Sequence, residues 1–92
     1  MNKLDSILWA ERLREAIRAL PANADIFGYE LRYDCATNGK ILSIHLSAPV
    51  DWSPVVCVHQ YSGWKEMQIV VTPYAVAWWA KNDEGDDDGQ ST

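Results

Sequence analysis

A chain of 92 residues lies at the small end of the single-domain range, where folding buries about two-thirds of the chain's surface and the core is correspondingly small. A hydrophobic content of 48%, with five Trp and four Tyr, supplies enough apolar surface for a packed interior and excludes a wholly disordered chain. The net charge of −5 is concentrated at one end: Asp83, Glu84, Asp86, Asp87 and Asp88 are five of the thirteen acids, and the other eight acids balance eight bases. A body of zero formal charge lacks the basic face that neutralises phosphates, which argues against direct nucleic-acid binding.

From the N-terminus, Asn2 is placed to cap a helix three residues before Asp5, and Pro21 stops it, so the pattern predicts a helix over Lys3 to Leu20. At 100° per residue Ala10, Leu13, Ile17 and Leu20 form a core-facing stripe widened by Trp9 and Ala16. Glu11, Arg14, Glu15 and Arg18 lie opposite, and Leu4, Ile7 and Leu8 share that polar side. These three apolar residues are therefore candidates for a partner or homodimer contact, unless the chain's own Trp78 and Trp79 cover them.

Phe27 to Cys35 alternates strictly, with Phe27, Tyr29, Leu31, Tyr33 and Cys35 on one face and Gly28, Glu30, Arg32 and Asp34 on the other. Such alternation marks a half-buried strand. Asn38-Gly39 is the preferred centre of a two-residue hairpin, pairing Thr37 with Lys40 and starting a second strand, Ile41 to Ser47. That register sets Cys35 against Leu42, Tyr33 against Ile44 and Leu31 against Leu46, apolar upon apolar. It also makes Cys35 a buried free thiol and His45 an exposed member of a polar lattice with Glu30, Arg32 and Asp34.

A loop carrying Pro49, Trp52 and Pro54 leads to a third strand, Val55 to Tyr61, and Ser62-Gly63 turns the chain into a fourth, from about Lys65 to Thr72. Whether the turn is two or four residues long, alternation places Val56 and Val58 with Met67, Ile69 and Val71, and Cys57, His59 and Tyr61 with Gln68 and, for the shorter turn, Trp64. Thr72-Pro73 has the form of a helix start, which predicts a second helix over Pro73 to about Asn82. The run from Ala75 to Trp79 is equally compatible with a fifth strand. The fold expected is α+β: a four-stranded antiparallel meander with an N-terminal and a C-terminal helix on one face (α-β-β-β-β-α). Residues 1–82 would form one domain and residues 83–92 a disordered acidic tail.

No constellation has the form of a catalytic or metal site. Cys35, Cys57, His45 and His59 lack short metal-ligand spacing, and the predicted strand faces keep Cys35 away from the other three, so neither zinc nor a disulfide is expected. Cys57 and His59, two residues apart on one face, would be about 7 Å apart, too far for direct proton transfer. A Ser43, His45, Asp34 triad would lie flat on an open sheet with no oxyanion donors. Glu84, Asp86, Asp88 and Gly89 resemble only the first half of a calcium loop.

With no cofactor implied, recognition is the remaining signal. Tyr61 and Trp64 beside His59, with Trp52 on the neighbouring loop, have the composition of an interface anchor. The reading is a small non-enzymatic interaction module that docks on a protein partner through Trp52, His59, Tyr61 and Trp64, or through Leu4, Ile7 and Leu8. In size and composition it is similar to the inhibitors and accessory factors encoded by phages and mobile elements, anti-CRISPR proteins among them, though no residue carries that likeness. The alternative is a small enzyme or ligand-binding protein with a site at a homodimer interface, built from His59, Cys57 and the aromatics. The start of the chain has no secretory pattern and no apolar run approaches the roughly 20 residues that span a bilayer, so a cytoplasmic location without membrane contact is expected.

Overall fold

In the computed structural model, which describes residues 1–35 and 38–82, the chain forms one helix and a five-stranded mixed sheet. Helix α1 spans Lys3–Ala19. Its first turn is closed as the sequence predicts: the Asp5 amide donates to Asn2 Oδ1 at 2.8 Å, satisfying one of the helix's unpaired donors. At the other end the Leu20 amide donates to the carbonyls of Ala16 and Ile17, and Pro21 follows. The buried stripe is rotated slightly from the expected one. Ala16 and Leu20 are buried with Trp9 and Leu13 beside them, while Ala10 and Ile17 are exposed.

The strands are β1 (Ile26–Asp34), β2 (Gly39–Leu46), β3 (Val56–Tyr61), β4 (Trp64–Thr72) and β5 (Ala75–Asn82). Their order across the sheet is β1-β2-β5-β4-β3. All neighbours are antiparallel except the central pair, β2 and β5, which run parallel with Ile44 beside Ala77 and His45 beside Trp78. The expected second helix is thus a fifth strand, and the sheet is not a simple meander. Thr72-Pro73-Tyr74 forms a tight turn in which the Tyr74 amide bonds to Thr72 Oγ1, and Thr72 pairs with Ala75 across it. The following run, Ala75-Val76-Ala77-Trp78-Trp79, is apolar on both faces. That is the composition of a strand flanked on both sides at the centre of a sheet rather than of a one-sided helix.

The first hairpin corrects the expected register by four residues, since Leu42 was expected opposite Cys35 and Ile44 opposite Tyr33. Leu31 faces Leu42, Tyr29 faces Ile44, and the ladder closes at Asp34 opposite Gly39. Asn38 takes a left-handed conformation, φ 55°, while Gly39 is already in the strand, so four residues rather than two separate the paired ends Asp34 and Gly39. The Tyr33 hydroxyl also bonds to Asn38 Oδ1. Because the slip is even, each side chain keeps its face. Cys35, however, leaves the strand and is exposed rather than buried.

Two bulges change faces that strict alternation had assigned. One, between Ile26 and Gly28, sets Ile26 against Leu46 on the helix side and turns Phe27 to the other face. The second, between Cys57 and His59, sets Val56 opposite Gln68 and Cys57 opposite Met67, reversing the faces predicted for both. At the far end of the same hairpin, Tyr61 pairs with Trp64 across the two-residue turn, with Gly63 at φ 88°.

The core lies between the sheet and a cover formed by α1 and the loop that links β2 to β3. Ala16 and Leu20 from the helix meet Leu42, Ile44 and Leu46 from β2, Ile69 from β4 and Ala75, Ala77 and Trp79 from β5. Val50 and Trp52 from the loop close its margin. The opposite face of the sheet has no covering element among the described residues. The expected tail and the half calcium loop at residues 84–89 fall outside them.

Candidate functional site

The uncovered face is built from the even-numbered residues of β4 and β5 and from those register-matched to them. One row crosses all five strands: Gly28, His45, Trp78, Gln68 and Val56. Within it the His45 imidazole stacks on the Trp78 indole, ring centroids 3.9 Å apart and planes within 6°. Phe27, turned outward by its bulge, meets His45 edge-on at 4.9 Å and is 75% exposed. His45 is therefore half-buried in an aromatic row, not a solvated residue in a polar lattice. A shallow depression of about 210 Å³ opens beside this row over Gly28 and Ser43, with His45 and Trp78 on its lining.

A second aromatic group stands at one end of the same face. Tyr61 and Trp64, paired across the β3–β4 turn, stack with centroids 4.2 Å apart, and His59 lies 5.9 Å from Tyr61. The row of Ala80, Glu66 and His59 comes between, so Trp64 and Trp78 are four residues apart along the sheet, a distance of about 13 Å. His59, Tyr61 and Trp64 thus share one face. Trp52, expected beside them, instead packs against the core on the helix side.

Leu4, Ile7 and Leu8 form a separate patch on the outer side of α1, with Leu4 77% exposed, and neither Trp78 nor Trp79 covers it. Trp79 is buried in the core and Trp78 faces the other way. The described residues consequently carry apolar patches on opposite sides, one on the sheet and one on the helix.

Groups that could perform acid–base or nucleophilic chemistry are not brought together. The bulge at β3 separates Cys57 from His59 onto opposite faces, and the Cys57 thiol donates to the His59 carbonyl at 3.4 Å. Ser43 is buried opposite Glu30, and Asp34, at the hairpin end of β1, is six register positions from His45, about 20 Å. Among the described residues no group of three or more His, Cys, Asp or Glu is close enough to hold a metal ion. A concavity of about 540 Å³ lies at the sheet margin between Pro49 and Val55 of the loop and Met67, Trp79 and Lys81, with a mainly apolar lining.

Sequence reasoning missed Phe27, His45 and Trp78. A strand reading of residues 75–82 would have put Trp78 on the face of Trp64 by simple alternation; no comparable signal marks the bulge that exposes Phe27. Compared with protein-family models, characterised proteins and solved structures, the chain shows no match.

Proposed function

We propose that this chain is a non-enzymatic protein-interaction module whose docking surface is the uncovered sheet face. The observation that carries the reading is Trp78. It stands on the central strand of a mixed sheet, stacked on His45, on the face that no element among the described residues covers. Parallel strand pairs are normally buried on both faces, and a Trp left at the middle of an open one gives a partner a large, rigid apolar anchor. Tyr61 and Trp64 extend the same surface, and Gln68 and Glu66 between the aromatics supply the polar groups that interfaces pair. The acids at residues 83–88 follow Asn82, the end of β5, in the sequence and favour a partner with basic groups.

The test is a quantitative affinity capture from host lysate with the wild-type chain, Trp78→Ala, Trp64→Ala, and Leu4→Glu with Leu8→Glu. Loss of a stoichiometric protein from both Trp variants, with retention by the double Glu variant, is the result expected. The reverse pattern would move the interface to the helix. Capture of no protein by the wild type would remove the docking reading.

A further inference from the structure

We propose that two copies of this chain join edge to edge through β1, antiparallel, about a two-fold axis at Leu31. β1 ends the sheet and pairs only with β2, so the outward amides and carbonyls of one side lack a strand partner within the sheet. Protein edges of this kind are ordinarily blunted by lysine, proline, a charge on the buried face or a bulge in mid-strand. From Gly28 to Asp34 β1 has none of these: the segment reads Gly-Tyr-Glu-Leu-Arg-Tyr-Asp, and its one bulge lies before Gly28. The opposite edge, β3, is protected, because a bulge interrupts its six residues between Cys57 and His59.

The occupant is identified by the segment's own symmetry. Two identical antiparallel strands can pair about a two-fold only with residue numbers summing to an even total, and a pairing centred on Leu31 uses the whole run. Glu30 then meets Arg32 of the second copy and Arg32 meets its Glu30, two opposite-charge pairs on the open face. On the helix side Tyr29 meets Tyr33 of the second copy, twice, flanking the Leu31 pair. Both tyrosines are about 60% exposed in the single chain (60% and 61%), which leaves their rings available for that contact. Asp34 falls opposite Gly28, where no side chain opposes it. Shifting the centre by one residue would instead oppose Glu30 to Glu30, or Arg32 to Arg32 with Glu30 against Asp34, so charge selects the register.

Such pairing keeps both helices on one side and joins the two uncovered faces into a continuous ten-stranded surface. Trp64 and Trp78 take no part in it, so the dimer and the docking reading stand or fall separately. Next to the seam, a cleft of about 400 Å³ between α1 and β1, lined by Trp9, Ala10, Leu13, Tyr29 and Leu31, would be closed in part by the second copy.

Sedimentation equilibrium of the full chain tests this. The wild type is expected at twice its 10.4 kDa mass. Glu30→Arg and Arg32→Glu, each turning two opposite-charge pairs into two like-charge pairs, are expected to weaken self-association by roughly tenfold or more with unchanged circular dichroism. An equimolar mixture of the two variants regains complementarity at both pairs and is expected to restore the dimer as a heterodimer. A monomeric wild type, or a dimer indifferent to both reversals, would overturn the proposal. Should either reversal unfold the chain, Leu31→Cys in a Cys35→Ser, Cys57→Ser background decides: a disulfide-linked dimer on mild oxidation is expected, and its absence refutes the pairing.

Discussion

Ile44 and Leu4 are both large aliphatic side chains, and their surroundings assign them opposite roles. Ile44 has no exposed surface and sits on the inner strand β2, facing the helix. Ile44→Ala should therefore lose about 2–5 kcal/mol and Ile44→Val about 0.5–1.5 kcal/mol in urea denaturation, the difference reflecting the size of the cavity left. Leu4 and Leu8 lie outside the core, so replacing both by Glu should shift stability by no more than about 0.5 kcal/mol per site. A loss of several kcal/mol would show that the outer side of the helix is covered after all. Gly63 is decided by backbone alone. At φ 88° with open space around a would-be Cβ, Gly63→Ala meets no clash but must hold a left-handed conformation, at a cost of about 1–2 kcal/mol by thermal unfolding.

At the scale of elements, the position of β5 makes a distinct prediction. A strand flanked by β2 and β4 has both sides of its backbone hydrogen-bonded, whereas β1 and β3 leave one side open. Amide hydrogen exchange should accordingly be slowest across Ala75 to Trp79 and fast at alternate positions of β1 and β3 in the monomeric charge-reversal variants. Rapid exchange at residues 75–79 would remove β5 from the centre of the sheet. The same element explains where the sequence was readable. The capped helix, the Ser62-Gly63 turn and four strand positions follow from local chemistry, because capping, turn formation and alternation act within a few residues. Residues 75–79, by contrast, are apolar in every direction, and such a run carries no period from which to choose helix or strand. The site suffered from this directly: with β5 read as a helix, Trp78 could not be placed beside Trp64, and the aromatic row at the centre of the sheet was invisible.

For the whole molecule, the parallel pairing of β2 with β5 is what joins the N-terminal hairpin to the β3–β5 meander, and the helix lays Ala16 and Leu20 across both. Neither half retains a closed core without the other. Unfolding should be a single transition, with tryptophan fluorescence and far-ultraviolet circular dichroism giving coincident urea midpoints; separated midpoints would mean that the meander, which carries Trp64, Trp78 and Trp79, stands alone. What the sequence by itself determined was local and periodic: the helix and its caps, the alternating strands, the neutral body with its acids gathered at the end, and the face shared by His59 and Tyr61. The tertiary structure decided the strand order, the two bulges that turn Phe27 outward and divide Cys57 from His59, and the burial of Trp52. Those outcomes depend on which distant strand lies alongside, and a neighbour's hydrogen-bond register leaves no mark on the spacing of residues within the strand that receives it.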